Sequence, residues 1–326
     1  MKTSVVRIHR HGGPDVLQYE EVELSAPGPG EVQIRQTAIG LNFSDVYQRE
    51  GEAGPHDSGT MPMILGGQGA GVVEAVGPGI DTFKPGDRVA YISPGAYAEC
   101  RNVGIERLLH LPAGISDQIA AATLLRGLTA EYLVRRLYKV KPGHTVLVHA
   151  AAGGMGLILG QWAKALGARV IGTVGADSKI DIAKAHGCDE VIVYTREDFA
   201  ARTMELTGGI GVDVIYDGVG KDAFLKSLDC VRPMGMVISY GTASGNVGKF
   251  DLQLLHRKSI IVTRPTLRTW IASRADLEAA AAAFFDAVIS GKVRAEVNRS
   301  YSLRDIRRAH EELQSRSTTG AAIIVP

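Results

Sequence analysis

The sequence has few cysteines, little net charge and no long apolar run. Its three cysteines, Cys100, Cys188 and Cys230, lack paired spacing, which argues against a disulfide framework or a zinc knuckle and favours reduced, partly buried thiols. The net charge of +1 comes without a basic block or an acidic tail, so neither nucleic acid nor an anionic membrane is favoured as the main partner. No window approaches the roughly 18 to 20 consecutive apolar residues of a membrane span, and the N-terminus has no apolar signal core, so we expect a cytoplasmic protein.

The composition is that of an ordinary globular protein with about two domains. Of its 326 residues, 45% are apolar and 22% are charged, which allows a large core. The first part of the chain, up to residue 125, contains short alternating runs separated by glycine and proline clusters, and this pattern predicts a compact, mostly antiparallel β domain. The runs cover residues 4–8, 17–24, 32–38, 71–76, 88–91 and 97–99. Two helical stretches, residues 118–125 and 129–137, follow.

The chain is organised around a short apolar run that opens through glycines into a helix. Val146, Leu147 and Val148 predict a buried strand, and residues 151–156 have the form Ala-x-Gly-x-x-Gly, the dinucleotide-binding fingerprint with alanine in place of its first glycine. Gly153 would let the backbone approach a pyrophosphate, and Gly156 would let the helix pack close to its strand. Taken alone, such a turn is weak evidence, because a tight connection between strand and helix is the alternative.

The surrounding sequence favours the dinucleotide site, because strand and helix patterns keep alternating after the turn. Further strands are predicted at residues 168–175, 190–194, 212–216, 235–240 and 259–263, with helices at 177–186 and 224–230. Six strands with helices between them predict an α/β fold, a doubly wound parallel sheet of the Rossmann type over residues 126–265. The remaining residues, 266–326, lack a full core of their own, so we expect them to return and complete the first domain.

A set of short motifs exceeds what the fold alone requires. These motifs are His11-Gly-Gly-Pro-Asp-Val-Leu17, Gly40-Leu-Asn-Phe-Ser-Asp45, Gly127-Leu-Thr129, His149-Ala-Ala-Ala-Gly-Gly-Met-Gly156, Gln161-Trp-Ala-Lys-Ala-Leu-Gly167, Gly172-Thr-Val-Gly175, Val262-Thr-Arg-Pro265 and Ala309-His310. Together they resemble the quinone oxidoreductase (zeta-crystallin-like) branch of the zinc-independent medium-chain dehydrogenase/reductase superfamily. The resemblance covers essentially the whole chain and implies a GroES-like β domain, residues 1–125 and 266–326, beside a Rossmann domain that binds NADPH.

The resemblance also implies that no metal is bound. Where the family's zinc-dependent alcohol dehydrogenases place a cysteine ligand, this sequence has Asn42, and where they place His-Glu it has Gly67 and Gln68. A catalytic zinc needs three Cys, His or carboxylate ligands and an open position. Without a Lewis acid to polarise an oxygen, the expected acceptor is one that takes a hydride readily, such as a quinone or an activated alkene.

The choice of nicotinamide cofactor depends on the end of the second strand. NAD-selective sites place a carboxylate about 20 residues after the glycine turn, whereas this chain has small residues there, followed by Asp177 and Lys179. A lysine favours a 2′-phosphate, while Asp177 would repel it unless it caps the helix. In the resembled family the lysine matching Lys179 and the tyrosine matching Tyr194 bind that phosphate, so NADPH is expected. The alternative is that Lys179 is a solvated helix lysine.

The resemblance carries further cofactor positions to this chain. Those expected beside the nicotinamide are Asn42, Asp45, Val46 and Tyr47, and those expected around the rest of the cofactor are Tyr132, Gly153, Gly154, Met155, Gly156, Gly175, Tyr240, Gly241, Thr242, Arg264, Pro265 and Arg316. Arg264 and Arg316 are either phosphate partners or ordinary surface arginines. Asp217 is expected to cap a helix rather than to bind a ligand.

The implied reaction moves a hydride from C4 of NADPH to a quinone, whose reduced oxygens take protons from water. Tyr47, Gln68 and Arg126 are the candidates for lining the acceptor pocket or stabilising the developing oxyanion. Each has a structural alternative: Tyr47 in the core, Gln68 capping a turn, and Arg126 in a structural ion pair.

Two other functions stay open. The first is NADPH-dependent reduction of the C=C bond of an enal or enone; the related thioester reductases use a tyrosine where this chain has Ala53. The second is a nucleotide-binding protein of the crystallin or RNA-binding type, although the sequence has no basic, aromatic stripe for nucleic acid. The family also implies a homodimer joined through the edge of the nucleotide-binding sheet, where residues 260–262 are apolar.

Overall fold

The computed structural model describes residues 1–52, 60–315 and 319–326. The chain divides into two compact units, one formed by Met1–Leu125 with Ala295–Pro326 and the other by Arg126–Arg294. The first boundary lies between Leu125 and Arg126. The second lies at residue 295 instead of 266, because the helix that precedes it belongs to the second unit, where the ring of Phe284 lies against Gly127 and 6.2 Å from the ring of Trp162.

The elements follow one another in chain order. The strands are β1 (Lys2–Ile8), β2 (Gln18–Glu23), β3 (Glu31–Leu41), β4 (Met63–Ile64), β5 (Gln68–Val76), β6 (Arg88–Ile92), β7 (Cys100–Gly104), β8 (Leu108–His110), β9 (Thr145–Val148), β10 (Arg169–Val174), β11 (Glu190–Val193), β12 (Val212–Asp217), β13 (Val231–Ser239), β14 (Ile261–Thr263), β15 (Arg299–Ser302) and β16 (Ala322–Val325). The α-helices are α1 (Phe43–Glu50), α2 (Asp117–Glu131), α3 (Gly154–Ala165), α4 (Ile180–Ala185), α5 (Phe199–Leu206), α6 (Phe224–Cys230), α7 (Gln253–His256), α8 (Leu267–Trp270), α9 (Arg274–Ile289) and α10 (Ile306–Gln314).

The first unit is built from two sheets, as its short alternating runs predict. The smaller sheet has the order β2-β1-β4, and the larger has the order β15-β16-β3-β5-β6-β8 with β7 paired to β3. All pairs are antiparallel except β15 with β16. Residues 97–99, predicted as a strand, contribute one isolated bridge, from Ala98 to Val5. The backbone of Tyr97 bonds to Val6 and to Leu65.

The second unit contains the predicted doubly wound sheet. Its six strands are all parallel and have the order β11-β10-β9-β12-β13-β14. The chain therefore reverses its winding direction beside β9, between β10 and β12. Leu147, Ile171 and Ile215 come from these three strands and are buried in one core cluster. A switch point of this kind leaves a crevice at the carboxyl ends of the strands, which is where ligands bind in such folds.

One helix replaces the two that the sequence predicts between residues 118 and 137. α2 runs without a break through Gly127 and continues into a π-helical turn, Tyr132–Leu137. Glycine is a poor helix former, but here the ring of Phe284 occupies the space that a side chain at Gly127 would fill. Tertiary packing therefore overrides the local break. Among the described residues, no helix is both long and apolar enough to cross a membrane.

Candidate dinucleotide-binding site

The glycine turn joins β9 to α3 through residues 149–153. Gly153 precedes the helix in an extended conformation, and the first intrahelical bond runs from the Leu157 N–H to the Gly153 carbonyl at 2.9 Å. A Cβ atom on Gly156 would lie 2.6 Å from Cα of Ala151, closer than real side chains approach. Only glycine at this position lets the first helical turn lie directly on the preceding loop.

The start of α3 is suited to an anion. The N–H groups of Gly154, Met155 and Gly156 belong to the first turn, which precedes the first intrahelical donor, so the helix itself provides them with no acceptor. Aligned peptide dipoles add a partial positive charge at this end. Because α3 follows the central strand of the sheet, these donors lie at the carboxyl edge, where a pyrophosphate binds in folds of this class.

The carboxyl ends of β10 and β11 form a second part of the site. A Cβ atom on Gly175 would lie 2.7 Å from the hydroxyl of Tyr194, so the absence of a side chain at Gly175 makes room for the tyrosine. The hydroxyl of Thr195 donates to the Gly175 carbonyl at 3.2 Å. Half-buried Lys179 ends the short 3₁₀ turn Asp177–Lys179 that follows β10. The two predicted 2′-phosphate residues, Lys179 and Tyr194, are thus on adjacent strand ends.

Asp177 does not cap this turn. Ala176 precedes the turn instead, and the Asp177 carboxylate forms an ion pair with Arg196, with Nη2 of the arginine 3.0 Å from Oδ1 and Nη1 3.2 Å from Oδ2. Arg196 was not among the residues that the sequence singled out. The only signal was a basic residue two positions after Tyr194, and nothing in the sequence paired it with Asp177, 19 residues earlier.

The carboxyl ends of β12, β13 and β14 hold a third group of predicted residues. Asp217 accepts hydrogen bonds from the N–H groups of Val219 at 2.7 Å and Gly220 at 3.1 Å. It therefore caps a turn and not the predicted helix, since α6 begins only at residue 224. Burial raises the pKa of Asp217 to about 6. Nη1 of Arg264 donates to the Ser239 carbonyl at 2.8 Å, which anchors this arginine at the same edge.

Two buried polar atoms at this edge have no hydrogen-bond partner within the described chain. They are Oδ2 of Asp217 and Oγ of Ser239, which belong to paired residues of β12 and β13. Next to them, Gly241 lies so close to Gly218 that a Cβ atom on it would be 2.8 Å from the Gly218 carbonyl oxygen. Buried polar groups are normally paired, so this edge has hydrogen-bonding capacity for a ligand. The predicted positions Tyr240, Gly241 and Thr242 directly follow β13, and Pro265 follows Arg264.

Tyr132 opens the π-helical turn and is almost fully buried. Its ring is stacked on Trp270, with the centroids 5.1 Å apart and the planes within 3° of parallel. The guanidinium of Arg136 lies 5.3 Å from the Trp270 ring centre. Burial raises the pKa of Tyr132 above its ordinary value, so its hydroxyl stays protonated. Isolated π turns are frequent at functional sites. Arg126 lies buried in the preceding helix α2.

In the first unit, a group of predicted residues surrounds the start of α1. Oδ2 of Asp45 accepts from the Asn42 N–H at 2.9 Å and from the Tyr97 hydroxyl at 3.0 Å. The Asn42 side chain accepts from the Asp45 backbone N–H in a capping box, while Nδ2 of the buried Asn42 lacks a partner within the described chain. Val46 is buried and Tyr47 is half-buried, its ring 6.4 Å from that of Phe43.

Gln68 begins β5 and is fully buried. Its Oε1 accepts from the Leu125 N–H at 2.7 Å, while Nε2 has no partner within the described residues. The neighbouring Gly67 lies close to the α1 group, because a Cβ atom on it would be 3.7 Å from Oδ1 of Asp45. The structure therefore brings the predicted Gln68 and Asp45 into one cluster with an unpaired amide N–H₂.

A buried chain of hydrogen bonds supports this cluster from behind. The Tyr97 hydroxyl lies 3.0 Å from Nε2 of His310, and Nη1 of Arg49 donates to Nδ1 of His310 at 2.9 Å. Arg49 is fully buried and forms an ion pair with Glu50 at 2.5 Å. Burial and the Arg49 charge lower the pKa of His310 to about 3, so the imidazole is neutral. Neither Tyr97 nor Arg49 was singled out from the sequence.

Two predicted positions lie outside the described residues. Arg316 and Ala53 belong to the ranges 316–318 and 53–59. Within the described ranges, no group of three or more His, Cys, Asp or Glu side chains is arranged to hold a metal ion. Asn42 and Gln68 contribute amides to the first-unit cluster, where a zinc site would require thiolate or imidazole ligands.

Known proteins match this chain over nearly its whole length. The family model described as the alcohol dehydrogenase GroES-like domain matches residues 28–143, and the one described as zinc-binding dehydrogenase matches residues 154–286. The quinone oxidoreductase of Pseudomonas aeruginosa is 46% identical over 98% of this chain and 99% of its own length. The 2-haloacrylate reductase of a Burkholderia species is 43% identical over 98% of both proteins.

The solved structures agree with the sequence relatives. The crystal structure of Escherichia coli quinone oxidoreductase complexed with NADPH has a TM-score of 0.95 and 43% identity, covering 99% of this chain and 100% of the other. Identity at this level over both units shows common ancestry, and the glycine turn, the parallel sheet and the antiparallel unit agree with it. The chain therefore belongs to the quinone oxidoreductase branch of the zinc-independent medium-chain dehydrogenase/reductase superfamily.

Proposed function

We propose that this protein is an NADPH-dependent quinone reductase that uses no metal ion. The observation that carries the proposal lies at the carboxyl end of β10, where Gly175 makes room for Tyr194 and Lys179 lies in the adjoining turn. This arrangement replaces the carboxylate that an NAD-selective site presents to the ribose 2′-hydroxyl. Similarity to quinone oxidoreductases, one of them solved with NADPH, supports the same assignment.

The residues of this chain fit the cofactor. The first-turn N–H groups of α3 would hold the pyrophosphate, and Lys179 and Tyr194 would hold the 2′-phosphate. The unpaired atoms of Asp217 and Ser239 offer hydrogen bonds at the edge of the same sheet. Further contacts are proposed for Tyr132, Gly153, Gly154, Met155, Gly156, Gly175, Tyr240, Gly241, Thr242, Arg264, Pro265 and Arg316.

In the first unit, Asn42, Asp45, Val46 and Tyr47 are proposed to contact the nicotinamide. The unpaired Nδ2 of Asn42 supplies a donor, which matches the oxygen of a carboxamide. Oδ2 of Asp45 is already engaged by Tyr97 and by the Asn42 N–H, so besides its proposed contact Asp45 holds the start of α1 in place. Tyr47 would then border both the ring and the acceptor.

The bound cofactor supplies a hydride from C4 of its nicotinamide. Gln68, with its unpaired N–H₂, and Arg126 are proposed to donate to the acceptor oxygen on which negative charge develops. A hydride carries two electrons and one hydrogen nucleus, so hydride transfer and one net proton from water convert a quinone to a hydroquinone. The protein's contribution is therefore orientation and charge stabilisation.

The test is the initial rate of NADPH oxidation with 1,4-benzoquinone by the unaltered protein and by Lys179→Glu. The proposal expects turnover by the unaltered protein and a large rise of the KM for NADPH, with little change of the KM for NADH, in the variant. Binding of NADPH without reduction of any quinone would contradict it and favour a nucleotide-binding protein that lacks this activity.

A second candidate is reduction of an activated C=C bond, and the 2-haloacrylate reductase relative specifically favours it. A hydride added to the β-carbon of such an alkene leaves a carbanion that needs a proton at the α-carbon, whereas a quinone needs none on carbon. Comparing kcat/KM for 1,4-benzoquinone and 2-chloroacrylate in the same preparation separates the two. A 2-chloroacrylate value more than tenfold higher would make C=C reduction the main activity.

We also propose a homodimer joined through the edge of the parallel sheet. β14 is the last strand of that sheet, and Ile261 on it is about half exposed. An uncovered edge strand with an apolar side chain is a natural site for pairing with a second copy. Light scattering should give a dimer for the unaltered protein and a monomer for Ile261→Lys; a monomeric unaltered protein would contradict the proposal.

A further inference from the structure

The turn after β10 contains one carboxylate whose negative charge is unfavourable for binding the proposed cofactor. Asp177 opens the 3₁₀ turn that Lys179 ends, two residues after Gly175. The cofactor's 2′-phosphate carries about two negative charges near neutral pH, and an unpaired carboxylate in this turn would repel it. Selectivity for NADPH therefore requires that the charge of Asp177 be neutralised.

Arg196 is placed to do this. Its guanidinium contacts both carboxylate oxygens of Asp177, at 3.0 and 3.2 Å. The residues on its N-terminal side fix its position, since the Tyr194 N–H bonds to the Val174 carbonyl at 3.1 Å and the Thr195 hydroxyl to the Gly175 carbonyl at 3.2 Å. A bidentate pair of arginine and carboxylate has a defined geometry.

The other carboxylate close to Arg196 is that of Glu197, which is shared among several groups. Oε1 of Glu197 lies 3.8 Å from Nε of Arg196, but the same oxygen accepts the Val193 N–H at 3.0 Å, and Oε2 lies 4.0 Å from Nε of Arg202. The Asp177 and Arg196 side chains are both more than half exposed, and exposed ion pairs contribute little to folding stability. Stability therefore does not account for this pair.

We propose that Arg196 is a specificity-determining residue for the 2′-phosphate, acting with Lys179 and by neutralising Asp177. This inference rests on the proposed use of NADPH, and it adds Arg196 and Asp177 to the site that would recognise the 2′-phosphate. With Arg196 present, the three side chains Asp177, Lys179 and Arg196 carry a net charge of +1. Without Arg196 the net charge of the group is zero and the Asp177 carboxylate is unpaired. Both changes weaken binding of the 2′-phosphate.

The experiment measures binding of two cofactor fragments to the full chain by titration calorimetry. These are 2′,5′-ADP, which carries the 2′-phosphate, and 5′-AMP, which lacks it. Arg196→Ala is expected to weaken 2′,5′-ADP binding roughly tenfold or more and 5′-AMP binding by less than about twofold, because charge-assisted contacts are lost only for the phosphate. Arg196→Lys, which keeps the charge, is expected to restore part of the affinity.

The pairing with Asp177 is tested by a double-mutant cycle. Asp177→Asn alone should tighten 2′,5′-ADP binding, and Arg196→Ala should cost less in the Asp177→Asn background than in the unaltered protein. The matched control is Arg202→Ala, because Arg202 is also a partly exposed, ion-paired arginine of this unit. It should change neither affinity by more than about twofold, because Arg202 forms its ion pairs with Glu205 and Glu197 and not with Asp177.

Three results would overturn the inference. They are equal effects of Arg196→Ala on the two fragments, an effect of Arg202→Ala as large as that of Arg196→Ala, and strict additivity with Asp177→Asn. Thermal unfolding of each variant shows whether a loss of binding reflects a loss of folding. If the unaltered protein reduces quinone with NADPH but the effects of Arg196→Ala and Asp177→Asn are additive, this inference is contradicted and the proposed function is not. If the unaltered protein does not prefer 2′,5′-ADP over 5′-AMP, the cofactor assignment fails first and the inference with it.

Discussion

The hydroxyl of Tyr97 donates a 3.0 Å hydrogen bond to Oδ2 of Asp45, inside the first unit. The direction of this hydrogen bond follows from Arg49 and His310, at the other end of the same hydrogen-bond network. Arg49 can only donate, so Nδ1 of the neutral His310 accepts, its proton lies on Nε2, and that proton is shared with the Tyr97 oxygen. The hydroxyl proton of Tyr97 is thereby directed to Asp45, which in turn holds the Asn42 N–H. A residue of α10 thus fixes the start of α1.

Tyr97→Phe should therefore affect both stability and cofactor binding. It removes one hydrogen bond from a buried carboxylate and should lower the free energy of unfolding by about 1–3 kcal/mol. Because Asp45 also holds the Asn42 backbone, the KM for NADPH should rise severalfold. Tyr91→Phe is the matched control, since the Tyr91 hydroxyl is likewise buried and bonded to Gln36. Steady-state kinetics gives the KM of each variant, and urea unfolding gives its stability. Equal changes of KM in both variants would show that Tyr97 acts only through stability.

Acidification should destabilise the protein through two buried histidines. Burial lowers the pKa of His149 to about 4, and burial with the Arg49 charge lowers that of His310 to about 3. Both stay neutral in the folded state while the unfolded chain takes up protons below its ordinary pKa of about 6.5. Stability is then lost as the pH falls from about 6.5 toward those values, by at most about 1.4 kcal/mol per pH unit for each histidine.

Asp217 acts in the opposite direction over part of this range. Its pKa is raised to about 6, so between pH 6 and the ordinary aspartate pKa near 4 the folded state binds a proton that the unfolded chain does not. Stability therefore rises as the pH falls through this range.

His149→Gln isolates one histidine, because His149 bridges Thr173 and Ser227 through 2.9 Å hydrogen bonds and a glutamine cannot be protonated. Its unfolding free energy, measured between pH 7 and 5, should decline less than that of the unaltered protein. Parallel curves would contradict the assignment.

Gly156→Ala should disrupt the turn that holds the pyrophosphate. The added methyl group would lie 2.6 Å from Cα of Ala151, and because that atom is backbone, the helix must move away from its strand. We expect NADPH binding, followed by fluorescence titration, to weaken more than about tenfold because the helix N–H groups are displaced. In Gly153→Ala the nearest atom to the methyl is the Ala150 carbonyl oxygen at 3.1 Å, so that variant should lose less. The reverse order would contradict the packing role of Gly156.

Much of the fold could be predicted because its signals are local. The alternation of apolar strands and amphipathic helices after residue 145 identified all six parallel strands, and the Ala-x-Gly-x-x-Gly turn located the start of α3. The break at Gly127 was misleading because the ring that fills its place, Phe284, comes 157 positions later. The return to the first unit was placed too early for the same reason, since only three-dimensional packing assigns α9 to the second unit.

The contacts that adjust the site could not be predicted from local patterns. Tyr97 and His310 are 213 residues apart, and Arg196 and Asp177 are 19 apart on different strand ends. Residue types gave a partial indication. Lys179 and Tyr194 were found through a family motif, and Asp177 was recognised as unfavourable beside a phosphate, but a helix cap was considered for it and not a pair with Arg196. Which cation supplies that charge depends on the register of β10 and β11, which no local pattern encodes.

The most direct test of the whole account is the ratio of kcat/KM for NADPH to that for NADH, with 1,4-benzoquinone as acceptor and a chelator present. We expect turnover that the chelator does not affect and a strong preference for NADPH, which is lost in Lys179→Glu. A protein that oxidises neither cofactor in the presence of quinone, or that prefers NADH, would contradict it.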